Sequence, residues 1–302
     1  MDVSLTAGSP LVVLNPAANR GNMQRHRALA RQKAAEEGAS YVETTRAGEA
    51  EELARRAASS GCPLIVVGGD GSVHEVVNGL LTSERRVPLG IVAAGSGNDF
   101  AWNTLRLPHD PGEALERAFA GTLVDVDAGR VNERYFANAF SVGLDADIAV
   151  AAHRLKRWPL MSGARLYYSA SLKQLLFGYH HCPRLSFKLD DTEWRDMNRY
   201  VLLAVSNGPT YGGGFRINPT ADHTDGWFHV CAIHYVPLMR ALSLLPVVQK
   251  GEHASVAEVH FFQAKKVQIE SLVPVHIQMD GETTSARSYQ AEILAGALQV
   301  RV

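Results

Sequence analysis

The chain has 302 residues, a formal net charge of −1, 46% hydrophobic residues and 20% charged residues. That length suits one large domain or two modest ones, with enough apolar material for a full core. The near-zero charge excludes a global field for nucleic acid, and the 3 cysteines, Cys62, Cys182 and Cys231, read as buried thiols in a reducing compartment.

Met1-Asp2-Val3-Ser4 lacks the basic start and apolar run of a signal peptide. Leu11 to Leu14 reads as a short buried strand ending at Asn15-Pro16. In the loop Asn15-Pro16-Ala17-Ala18-Asn19-Arg20-Gly21, Pro16 fixes the turn and the small residues leave room for phosphates. Asn19 there tolerates positive φ almost as well as glycine. A helix is predicted from about Met23 to Glu37, with Gly38 as its C-cap. Tyr41 to Glu43 is a second strand, and Glu49 to Ser60 a second helix.

The third strand, Leu64 to Val67, breaks into Gly68-Gly69-Asp70-Gly71-Ser72. Ser72 is expected at a helix N-cap, with Glu75 three residues later completing a capping box. Three glycines around one carboxylate let backbone amides approach a ligand beside a helix N-terminus that favours anions. Asp70 would repel a bare phosphate, so the pattern points to a divalent metal held between them. A tight strand-to-helix turn is the plain alternative. Leu89 to Val92 is a fourth strand, running into Gly95-Ser96-Gly97-Asn98, a second glycine loop with Asn98 or Asp99 near a helix cap. This βαβα rhythm implies a parallel sheet covered on both faces, with ligands outside the strands' carboxyl ends. The loops after Leu14, Glu43, Val67 and Val92 all belong to that end.

Beyond about Leu123 the pattern changes, and the division falls into 1–124 and 125–302. Leu123 to Val131, Tyr135 to Phe140, Arg184 to Leu189, Tyr200 to Ser206 and Trp227 to Ile233 read as strands. So do Glu258 to Phe262, Val267 to Ile269, Val275 to Gln278 and Leu298 to Val302. Helices are predicted over Leu166–Phe177 and Leu238–Val248. Many short strands joined by turns indicate an antiparallel sandwich. The apolar stretch Tyr235–Val248 is cut by Pro237, Arg240 and Pro246 and is too short to span a bilayer, so a cytoplasmic protein is expected.

Within this half, Ser206 to Phe215 is a permissive glycine-rich loop leading into Asp222-His223-Thr224-Asp225-Gly226-Trp227. Asp222 and Asp225 suit either a hard cation or Asx turns that cap a hairpin. Asp280-Gly281-Glu282 has the composition of an ordinary hairpin turn. His74 reads as a helix residue packed beneath the glycine loop, and no histidines show metal-ligand spacing.

In order and approximate spacing, these segments resemble the diacylglycerol kinase catalytic family, which includes bacterial diacylglycerol kinases and sphingosine kinases. The resemblance runs from Asn15-Pro16 to Asp280-Gly281-Glu282. It implies an N-terminal α/β nucleotide domain with a parallel sheet, similar in fold to NAD kinases and phosphofructokinases, facing a C-terminal antiparallel β-sandwich. It implies an ATP- and magnesium-dependent kinase that phosphorylates the hydroxyl of diacylglycerol or a similar lipid alcohol.

By this resemblance Asn15, Pro16, Ala17, Ala18 and Asn19 line the nucleotide site, and Thr44 or Thr45 adds a hydroxyl. Gly69, Asp70, Gly71 and Ser72 cradle the phosphates, with Asp70 linked to magnesium directly or through water, and Gly68 and Glu75 belong to the same cofactor-binding set. Gly95, Ser96, Gly97 and Asn98 complete the pocket. Asp222, Asp225 and the Trp227 carbonyl match a structural metal site, and Glu282 matches the general base. Departures are Asn19 for glycine, Ser72 for threonine, His74, and Thr224 before the metal-site Asp225.

Competing readings are an NAD kinase-like or sphingosine-type kinase, and a catalytically inactive lipid-binding member. The expected partner is a lipid at the bilayer surface, met by peripheral association, with no nucleic acid; a homodimer is compatible with the resemblance. Arg154 to Met161, with three cations around Trp158, is the expected docking segment.

Overall fold

The computed structural model describes residues 5–155, 174 and 178–302. Its first half alternates β1 (Leu11–Leu14), α1 (Gln24–Glu36), β2 (Ser40–Glu43), α2 (Glu49–Ser60), β3 (Leu64–Gly68), α3 (Asp70–Leu81), β4 (Pro88–Ala93) and α4 (Pro111–Ala120). The four strands pair in parallel in the order β2-β1-β3-β4. Side-chain alternation explains why both faces are covered. Leu11, Val13, Leu64, Val66, Leu89 and Ile91 pack with apolar residues of α2 and α3. Val12, Leu14, Ile65, Val67 and Val92 point the other way, onto α1 and α4. The order reverses between β1 and β3, so the loops leaving these two strands flank the crevice where such sheets bind ligands.

The second half contributes β5 (Leu123–Val131), β6 (Arg134–Phe136), β7 (Ala139–Gly143), α5 (Leu144–Leu155), β8 (Arg184–Leu189) and β9 (Asn198–Ser206). It continues through β10 (Phe228–His234), a helix over Leu238–Lys250, β11 (Val259–Ala264), β12 (Lys266–Met279) and β13 (Glu282–Arg301). Its strands are antiparallel to one another, around a core that includes Phe136, Phe140, Phe187, Phe228 and Tyr289.

Several elements differ from the sequence expectation. Tyr135 to Phe140 is not one strand: the carboxylate of Asp280 takes the amides of Ala137, Asn138 and Ala139, which divides it into β6 and β7. Val267 to Ile269 and Val275 to Gln278 are two parts of β12, joined across a register shift between Glu270 and Val275. Leu298 to Val302 is the end of β13, a strand of 20 residues. The helix α5 was not anticipated, because Asp145 and Asp147 interrupt its apolar pattern.

β13 joins the two halves. It pairs antiparallel with β12 and β5, and its end pairs in parallel with β4 through Gln299–Pro88 and Val300–Leu89. The hydrogen-bonded sheet is therefore continuous across residues 124 and 125, with 13 strands among the described residues. No helix among the described residues is long and apolar enough to cross a membrane. The helix expected over Leu166–Phe177, Gln174 excepted, and the side chains of the expected docking segment Arg154–Met161 lie outside the described residues.

Candidate active site

Loops from both halves converge at the carboxyl ends of β1, β3 and β4. After β1, the Asn15 side chain accepts from the Ala17 amide at 2.9 Å and donates to Ser72 Oγ at 2.8 Å. Pro16 and Ala18 lie in the same half-buried turn. Asn19 adopts φ +45°, as its type allows, and the left-handed run continues through Arg20 and Gly21. After β2, the buried Thr44 donates its amide to the Leu14 carbonyl at 2.9 Å. The neighbouring Thr45 hydroxyl is bound to Glu49 at 2.9 Å.

The two glycine loops touch. A Cβ on Gly95 would stand 2.6 Å from the Gly69 Cα, and the Ala94 amide donates to the Gly68 carbonyl at 2.8 Å. A Cβ on Gly97 would stand 2.6 Å from Asp70 Oδ2. Gly95 thus lets two backbones approach closely, and Gly97 leaves room for the Asp70 carboxylate. Ser96 is exposed at the rim, and Gly71 faces Glu282.

The capping box predicted for Ser72 and Glu75 is not formed. α3 begins at Asp70 with Gly69 as its N-cap, and no side chain caps it. Ser72 is drawn inward instead, 5% exposed, where its hydroxyl accepts from Asn15. Glu75 projects to another helix, accepting from the amides of Gly48 at 2.9 Å and Ala50 at 3.2 Å. Its carboxylate thus satisfies donors at the amino-terminal end of α2. A cap residue and a helix-bridging residue look identical at this spacing.

Asn98, at φ +61°, also does not cap by its side chain, which closes on Gly95 through bonds of 3.0 and 2.8 Å. Its amide donates to Asp70 Oδ2 at 2.8 Å. Asp99 makes no cap bond either. Its carboxylate accepts from the Gly213 and Gly214 amides at 2.7 and 2.9 Å and ties the second half's glycine loop to the first. By sequence alone Asp99 reads only as a cap, and Asp127 sits unmarked within the strand Leu123 to Val131. Asp127 is 1% exposed and accepts from the Gly226 and Gly296 amides at 2.7 Å each. The available signal was an ionisable residue at a buried strand position.

Asp70 is half-buried, and its carboxyl is pushed up to about 6. Burial is the main cause; the Asn98 amide opposes it, and the charges of Asp99 and Asp280 reinforce it. Such a carboxylate, at the start of α3 among other negative groups, fits a neighbouring cation that would restore its ionised form. Glu282 arrives from the other half, exposed at the start of β13, and its Oε1 lies 3.7 Å from the Cβ position of Gly71. His74 is packed as expected, 3% exposed, with Nε2 3.3 Å from Asn78 Nδ2.

Asp222, Asp225 and Trp227 share one turn, whose Gly226 amide donates to Asp127. Asp222 accepts from the Thr224 amide and hydroxyl, at 2.9 and 2.7 Å. Asp225 accepts from the Trp227 amide at 2.9 Å and pairs with His229 at 3.0 Å. These bonds are those of an Asx-turn cluster. Among the described residues no three His, Cys, Asp or Glu side chains are arranged to hold a metal ion.

Both halves of the chain match known proteins. Residues 9–131 match the diacylglycerol kinase catalytic domain, and residues 138–302 match the YegS C-terminal NAD kinase beta sandwich-like domain. The chain is 34% identical to a protein of Chromohalobacter salexigens named probable lipid kinase YegS-like, over 84% of this chain and 81% of that one. It is 30% identical to a diacylglycerol kinase of Mycobacterium tuberculosis, over 97% of this chain and 94% of that one. A solved chain from Bacillus anthracis str. Sterne superposes with a TM-score of 0.80 at 24% identity, and a second, described as a diacylglycerol kinase, with 0.73 at 21%. Each covers 97% of this chain and 96% of that chain. With both domains matched in order and the whole architecture shared, the chain belongs to the diacylglycerol kinase catalytic-domain family of lipid kinases.

Proposed function

We propose that the protein transfers the γ-phosphoryl group of ATP to the hydroxyl of diacylglycerol or a similar lipid alcohol, with magnesium. The observation that carries this reading is the meeting of Glu282 with Gly71 across the two halves, beside Asp70. It puts a carboxylate from one half at the anion-favouring start of α3 in the other. The glycine amides and the α3 N-terminus hold and orient the phosphates, and Asp70 is the residue that would engage the metal. Magnesium, when bound, neutralises charge that develops on the transferring group. Glu282 takes the proton from the lipid hydroxyl as its oxygen forms the new bond to phosphorus and ADP leaves.

The lipid is met at a bilayer surface by peripheral association, a reading supported by the family and by the lack of a spanning helix among the described residues. The test is to incubate the pure protein with labelled ATP, magnesium and separate lipid alcohols, with NAD alongside. Label in a lipid supports the reading. Label in NAD alone, or in nothing, overturns it.

A further inference from the structure

The turn that carries Glu282 is braced by groups that the proposed transfer does not itself use. Met279 and Glu282 are a cross-strand pair, and Asp280 and Gly281 between them take φ +47° and +93°. These are the two left-handed residues of a tight hairpin. The Asp280 side chain is 9% exposed. Its Oδ2 accepts from the Ala137 amide at 2.7 Å, and its Oδ1 from the Asn138 and Ala139 amides at 3.1 and 3.0 Å. Its own amide donates to the Ala139 carbonyl at 3.0 Å. On the other side, the Gly281 amide donates to Gln278 Oε1 at 3.1 Å. Gln278 Nε2 donates to Ser141 Oγ at 2.9 Å, and the Ser141 hydroxyl donates to Asp145.

An exposed glutamate that flanks a two-residue turn is placed by that turn. It can face Gly71 in a fixed place only if the turn is fixed, and the bonds to the 137–139 segment do that. We infer that Asp280 is a positioning residue, acting through Glu282, with Gln278 as a second brace. Both Asp280 oxygens receive backbone N–H groups, so it is not a spare base. This inference rests on Glu282 as the general base.

A double-mutant cycle on the full chain tests it, using ATP, magnesium and dioctanoylglycerol in mixed micelles, with single-turnover rates for slow variants. Asparagine keeps the left-handed φ but turns one acceptor into an NH2 that faces a donor. Asp280→Asn is expected to lower kcat roughly ten- to a hundredfold, as about 1 Å of misplacement does, with KM for ATP nearly unchanged. Glu282→Gln alone is expected to lower kcat by roughly two to four orders of magnitude. In the Glu282→Gln background, Asp280→Asn should then cost almost nothing more. Gln278→Met, similar in volume, should show a smaller loss with the same non-additivity, and carries the cycle if Asp280→Asn fails to fold. Equal losses in both backgrounds overturn the positioning role and leave Glu282 as the base. Wild-type turnover by Glu282→Gln overturns the base and the inference with it.

Discussion

Asp70 occupies a place that its own charge disfavours. Burial, with Asp99 and Asp280 nearby, raises its carboxyl from 3.8 to about 6, and the bond from the Asn98 amide offsets only part of that. A folded value above the unfolded one means this group contributes its stability fully below about pH 3.8. That stability is lost as pH rises through about 6. Asp70→Asn, neutral throughout, is therefore expected to be more stable than wild type at pH 7, on the order of 2–3 kcal/mol, with the gain vanishing in acid. Turnover should disappear in the same variant, since the charge that engages magnesium is gone. Urea melts at pH 7 and pH 4 beside a kinase assay check both halves, and wild-type activity in the variant removes Asp70 from the mechanism. In the wild type, kcat/KM for ATP should fall below about pH 6 as Asp70 takes up its proton.

At the scale of elements, two carboxylates accept from backbone amides that they fasten in place. Glu75 bridges from α3 to the start of α2 through the Gly48 and Ala50 amides. Glu75→Ala leaves those donors without their acceptor, which should cost about 1–2 kcal/mol in urea unfolding. KM for ATP should stay near the wild-type value; a rise of tenfold or more would return Glu75 to the nucleotide site. Asp225 holds its turn through the Trp227 amide and His229. Asp225→Ala is expected to lower stability by about 1 kcal/mol, with magnesium shifting the melting temperature of variant and wild type alike. A larger magnesium shift in wild type would restore the cation reading of Asp222 and Asp225.

For the whole molecule, β13 is the shared element. It starts at Glu282 in the candidate site and ends beside β4, with Leu298 2% and Val300 0% exposed in the core of the first half. The candidate site thus depends on the docking of both halves, which Asp99 reinforces from the other side through Gly213 and Gly214. Val300→Ala, which opens a small cavity, should cost about 2 kcal/mol. Because the sheet is continuous, that loss should lower one cooperative calorimetric transition. Two transitions, with only one displaced, would show that the halves melt separately.

Whereas the strand order came from the tertiary structure, the sequence by itself determined the parallel character of the first half's sheet, the glycine loops at its carboxyl end, the strand-rich, antiparallel nature of the second half and the hairpin at Asp280-Gly281. These follow from local patterns: apolar runs of strand length, helical periodicity, and turn residues that tolerate positive φ. It also put Asn15, Asp70 and Glu282 in one family motif set. Tertiary structure alone decided that Ser72 turns inward to Asn15, that Glu75 serves α2, that Asp99 grips the second half's loop, and that Asp280 divides β6 from β7. A carboxylate's partner is set by which backbone amides the fold brings within hydrogen-bond reach, and amides distant in sequence leave no local pattern. For the same reason the course of β13 was legible only at its end, since its pairing with β4 joins residues more than two hundred positions apart.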